Sequence, residues 1–192
     1  MTIRPELIER LRDKRKSITE HIPSEKLEIA HSKGMLSARE RIATLFDPGT
    51  FQETGLHARH KALHFGMKDR ELPADGVITG TGYIGHKQIS AFCQDFNVLA
   101  GALGKMQARK ITDIMRYAAK IGTPVVAFKD SGGARIQEGV DALSGYGDVF
   151  YSNVLLSGVV PQIAVICGPC AGGAAYSPAL MDFVIMTRRN SY

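Results

Sequence analysis

Tryptophan is absent from the 192 residues, cysteine occurs three times, and aromatic residues make up only 7%. Three cysteines cannot build a disulfide framework, so a reducing compartment is expected. Few aromatics and no Lys/Arg block longer than three leave little to stack bases or track a phosphate backbone. Nucleic acid is therefore not an expected partner. No stretch approaches the roughly 20 apolar residues of a membrane helix, so no membrane insertion is expected. The N-terminal segment, with Arg4, Glu6, Glu9 and Asp13, has no apolar signal core and is too acidic for a transit peptide. The expected location is cytoplasmic. The net charge of +5 leaves two readings open: solubility, or an anionic ligand such as a phosphorylated cofactor.

What is present is glycine, and it is unevenly placed. Residues 1–70 hold 4 of the 20 glycines and residues 71–192 hold 16. The first segment reads as a charged helical arm ending in a mobile loop (56–74). The second reads as an α/β domain of alternating strands and helices. In the arm, Leu7, Ile8, Leu11 and Ile18 share one side of a helix over 5–20. Ser37 and Glu40 form a capping-box pattern that opens a helix through Leu45. Strands are expected at 76–80, 88–92, 124–129, 163–167 and 183–186. Helices are expected at 100–120, about 147–156, and 174–181.

Two motifs invite other readings. Gly80-Thr-Gly82-Tyr-Ile-Gly85 matches the dinucleotide fingerprint, which needs a helix to follow. The residues that follow, 86–92, alternate like a strand, so a hairpin is expected. Cys167-Gly-Pro-Cys170 matches a thioredoxin-type redox pair. No tryptophan accompanies it and no proline follows Pro178, so tight packing of small residues is the preferred account. A single CxxC also lacks the second ligand pair of a zinc site, and no metal is expected.

The chemistry rests on two further turns, Asp130-Ser-Gly-Gly-Ala-Arg135 and Gly168-Pro-Cys-Ala-Gly-Gly173. Each follows a buried-type strand. If those strands are parallel neighbours, both turns lie at one sheet edge, where ligands of open α/β sheets bind. Glycine lets backbone amides approach a ligand closely, and the second turn also opens a helix. One amide from each turn would make an oxyanion hole. The alternative is two tight turns between packed elements.

The stretch from Asp130 to Gly147 (DSGGARIQEGVDALSGYG) and the stretch from Gly168 to Leu180 (GPCAGGAAYSPAL) resemble the propionyl-CoA carboxylase β-subunit family. Shorter matches begin at Lys33, Asp47, Asp75 and Gln94, and the resemblance runs from about residue 5 to 186. Arg135–Asp141 (RIQEGVD) points to the acetyl/propionyl or methylmalonyl-CoA branch rather than the methylcrotonyl-CoA branch.

The resemblance implies a crotonase-like ββα spiral, incomplete here because family members run to about five hundred residues. It implies a carboxyltransferase that moves a carboxyl group from carboxybiotin, held on a partner carrier domain, to the α-carbon of an acyl-CoA through a thioester enolate. Gly132 or Gly133 would supply one amide and Gly172 or Gly173 the other, with Ala134 and Ala171 beside them. Lys33, Arg39 and Arg41 are candidates for the CoA phosphates, with an ordinary solvated helix face as the alternative. Arg135 would orient the first turn or pair with Asp130. Tyr146 and Tyr176 would line the acyl pocket or pack the core. The implied partners are acyl-CoA, a biotin carboxylase with its biotin carrier, and further copies in a hexamer. The second half of the family's fold is missing, so turnover by this chain alone is not expected. A sodium-pumping decarboxylase subunit shares the same motifs. A thioredoxin-type oxidoreductase and a non-catalytic binding protein are the competing classes.

Overall fold

The computed structural model describes residues 4–192. Helix α1 (Pro5–Thr19) opens on proline, whose missing N–H is no loss in a first turn. Helix α2 (Ser24–Ser32) follows, with no apolar period to announce it. Neither helix buries a side chain. Helix α3 (Ala38–Leu45) starts at the predicted capping box. Ser37 Oγ accepts from the Glu40 amide at 3.3 Å, and Glu40 Oε2 accepts from the Ser37 amide at 2.7 Å.

Six strands form one sheet in chain order: β1 (Gln52–Thr54), β2 (Val77–Ile84), β3 (Lys87–Gln94), β4 (Val125–Ser131), β5 (Gln162–Cys170) and β6 (Phe183–Met186). The first three pair antiparallel and the last four parallel. Three helices make the parallel crossovers: α4 (Lys105–Ile121), α5 (Val140–Leu156) and α6 (Gly173–Ala179). The fingerprint glycines lie in the β2–β3 hairpin, as their setting predicted. They serve packing. A Cβ on Gly80 would collide with the Gln52 carbonyl, and one on Gly82 would lie 2.6 Å from the Phe46 ring.

Both faces of the sheet are covered from β2 to β5, as parallel strands require, while β6 is exposed along its length. On one face Phe92, Ala127, Ala164 and Ile166 pack against Ile111, Met115, Val149 and Leu156 of α4 and α5. On the other, Ile78, Ile89, Ala91 and Val126 pack against Ile42 and Phe46.

Three expectations change. Helix α5 begins at Val140, well before residue 147. Gly145 and Gly147 argue against helix locally, but Gly145 is where α5 meets α4: a Cβ there would stand 2.8 Å from that of Ala108. The division at residue 70 does not follow the packing, because α3 covers the sheet and β1 extends it. The 56–74 segment is irregular, yet Met67 is fully buried in it against Leu72 and Val98.

Candidate active site at two glycine turns

The two glycine turns meet. Ser131, at the end of β4, pairs with Cys170, at the end of β5. The Ala171 amide donates to the Ser131 carbonyl at 3.2 Å. Gly133, at φ +108°, passes so close to Ala171 that a Cβ would stand 3.2 Å from its carbonyl oxygen. Beneath them, the Tyr146 ring packs against Gly173, where a Cβ would lie 3.0 Å from the ring carbons. Glycine is needed at both places for this approach.

The amides divide into committed and free. Gly132 donates to the Ala100 carbonyl at 2.9 Å and Gly133 to Ser131 Oγ at 3.2 Å. This corrects the expectation that these two supply the first donor: the Gly132 amide is spent inside the fold. Among the described residues, the amides of Ala134, Gly172 and Gly173 find no hydrogen-bond partner. Gly172 takes φ +57° with open space at its Cβ position. It caps α6, whose first N–H groups carry the positive end of the helix dipole.

The arginines have structural work. Arg41 is buried and donates to Asp130 Oδ2 at 2.8 Å. Burial works against its charge, and the Asp130 carboxylate helps keep it a cation. A phosphate role for Arg41 is thereby overturned. Arg39 binds Glu53 at 2.9 Å and is partly buried, so it too is engaged. Lys33 is exposed at the end of α2. Arg135 is wholly buried, so it offers nothing to a ligand. It pairs with Asp75 and Glu138 at 2.8 Å each, rather than with Asp130. Glu138 in turn accepts from the Lys105 amide at 2.7 Å, which ties the first turn to the start of α4.

Tyr146 is buried and Tyr176 is exposed. Phe150 stands between them, with ring centroids 5.6 Å and 5.8 Å away. Burial pushes the Tyr146 hydroxyl up to about 12, and the nearby Ser131 pulls the other way without closing a hydrogen bond of good geometry. Ala134 is partly buried and Ala171 exposed, at the rim of the two turns. Burial raises both Cys167 and Cys170, the reverse of a reactive thiolate pair. Sequence reasoning passed over Lys129 and Ser177, which are buried together beneath α6. A lysine inside the apolar run of β4 was the available signal.

What this edge offers a substrate is a cluster of unpaired amides with no free carboxylate or imidazole among them. Such a set stabilises an oxygen that gains negative charge; it does not remove protons.

Residues 30–192 match the model of the carboxyl transferase domain. The chain belongs to the carboxyl transferase domain family. It is 50% identical over its full length to methylmalonyl-CoA decarboxylase subunit alpha of Propionigenium modestum, covering 37% of that protein. Over 87% of its length it is 52% identical to the propionyl-CoA carboxylase beta chain of Cereibacter sphaeroides, covering 33% of it. Among solved structures it superposes on transcarboxylase 12S with a TM-score of 0.94 at 48% identity, over 99% of this chain and 37% of that one. That structure is described as a hexamer with methylmalonyl-coenzyme A bound. The likeness bears out the crotonase-like α/β fold. The chain spans about a third of these relatives' length.

Proposed function

We propose that this carboxyl transferase domain binds an acyl-CoA thioester at the two glycine turns and stabilises its enolate, as part of a carboxylase acting with carboxybiotin. The observation that carries the reading is the abutment of Gly133 on Ala171 beside the free amides of Gly172 and Gly173. The thioester oxygen accepts from an α6 amide and from Ala134, the donor left free by the first turn. Each such donor contributes about 3 kcal/mol when the oxygen becomes an anion. The α-proton leaves to an acceptor outside this chain, because Asp130, the carboxylate that opens the first turn, is held by Arg41. Carboxybiotin on a partner supplies the carboxyl group. A second half, further copies and a biotin carrier complete the working enzyme in the cytoplasm, where three free cysteines are at ease.

A second reading shares this site. The full-length match to a methylmalonyl-CoA decarboxylase subunit favours the same enolate reached by loss of a carboxyl group. Calorimetric titration with propionyl-CoA and methylmalonyl-CoA tests the common site. Gly172→Ala puts a methyl group into the open space beside the free amides, and is expected to weaken binding about tenfold or more. Unchanged affinity would remove the turns from the site. Carboxylation or sodium-dependent decarboxylation by the assembled complex separates the two readings.

A further inference from the structure

Lys129 has no part in the reading above, yet it is the least ordinary charge in the molecule. It lies on β4 one residue before Asp130 and is 3% exposed. Its ammonium donates to Ser177 Oγ at 3.0 Å and stands 4.8 Å from the centre of the Phe92 ring. Ser177 donates to Asn153 Oδ1 at 2.9 Å, and Asn153 Nδ2 donates to Gln162 Oε1 at 2.9 Å. All four residues are buried, so the chain straps α6 to α5 and to the start of β5. No carboxylate forms an ion pair with Lys129 among the described residues.

The comparison with Lys110 is instructive. That lysine is also buried, but it donates to the carbonyls of Ala74 and Val77, with Glu53 and Asp75 supporting its charge. Lys129 has only a hydroxyl and a ring face. An unpaired buried cation is expensive, and an apolar residue of the same shape would often be as stable or more so. Burial lowers Lys129 to about 8, while the face of the Phe92 ring beneath the ammonium favours the cation. The place of that charge is what distinguishes it. Ser177 lies one helical turn after Gly173, about 6 Å along α6. Cys170, within the second turn, also feels the lysine's charge.

We infer that Lys129 is a positioning residue for the enolate oxygen: its buried charge, seated against Ser177 beneath an α6 that Asn153 straps in place, favours an anion over a neutral carbonyl at the free amides of Gly172 and Gly173. The inference rests on the proposed role of those amides. By Coulomb's law at an effective dielectric near 20, any unit charge within about 10 Å of an anion changes the anion's affinity about tenfold. A neutral ligand in the same place gains little. The mark of Lys129 is therefore a difference between two ligands.

The test titrates the full chain with propionyl-CoA and with a CoA thioether carrying a preformed nitronate, a planar anion shaped like the enolate. Lys129→Met is expected to fold with an equal or higher Tm. It should bind propionyl-CoA within about threefold of the unaltered chain and lose about tenfold on the nitronate. Ser177→Ala keeps the charge and loosens the tether, so it should weaken both probes alike. Equal losses on both probes with Lys129→Met, no loss on either, or an unfolded variant would make the lysine merely structural and overturn the inference. Failure of the unaltered chain to bind either probe would instead overturn the reading of the turns on which it stands.

Discussion

Arg41 and Asp130 meet at 2.8 Å, 89 residues apart in the chain, with side chains only 10% and 8% exposed. The pair joins α3 to the last residues of β4, immediately before the first glycine turn. Gly168 completes it, since a Cβ at that position would overlap the Asp130 carboxylate. A basic residue that looks like a phosphate ligand in the sequence is thus the neutralising partner of a buried acid.

Removing one member of that pair should cost far more than a surface ion pair. Arg41→Met leaves Asp130 buried and alone, and is expected to lower the unfolding free energy by about 3–5 kcal/mol. Adding Asp130→Asn should recover part of the loss. Urea unfolding of both variants reads the effect, and a cost below about 1 kcal/mol would mean the pair is solvated.

The fingerprint glycines should matter for stability alone. Gly82→Ala sets a methyl group against the Phe46 ring and is expected to cost about 1–3 kcal/mol by overpacking. Thermal unfolding measures this, and equilibrium dialysis against NAD should show no binding before or after the change.

The arm should be held most firmly in mildly acidic solution. His21 lies 3.1 Å from Asp95 at the end of β3. Burial alone would lower His21, but the adjacent Asp95 carboxylate outweighs it and raises the group above 6.5. Burial likewise opposes ionisation of Asp95, while His21 and Asn97 hold it below 3.8. The histidine's contribution is complete below 6.5 and fades as pH rises through its raised value. The carboxylate's is complete above 3.8 and fades as pH falls through its lowered one. Proteolysis within α1 should therefore be slowest between about pH 4 and 6.5 and quicken on either side. His21→Asn should flatten the alkaline limb; an unchanged profile would exclude the pair.

The CxxC motif should be chemically quiet. Burial raises Cys93, Cys167 and Cys170 alike, so alkylation at pH 7.5 should run at least about tenfold slower than for a free thiol. Cys170→Ser should leave acyl-CoA binding in place. A dithiol that cycles with a reductant would contradict this.

The capping box at Ser37 and Glu40, the hairpin after Gly80 and the two glycine turns were all legible because each is written in a few adjacent residues. The start of α5 was not. Gly145 lowers helix propensity locally, and its compensation, close contact with Ala108, comes from a different helix. Helix α2 was missed because it buries nothing and so carries no apolar period.

The sequence by itself determined the alternation of strands and helices, the family resemblance and the two turns, since backbone conformation and local hydrogen bonding depend on near neighbours. Only the tertiary structure decided which amides at those turns are free. It also paired Arg41 with Asp130, placed Arg135 on Asp75 across 60 residues, and seated Lys129 between Ser177 and the Phe92 ring. Charge and hydrogen-bond partners in a buried site are chosen by proximity after folding. A string of residues names the donors and acceptors, but packing alone brings them within 3 Å of one another.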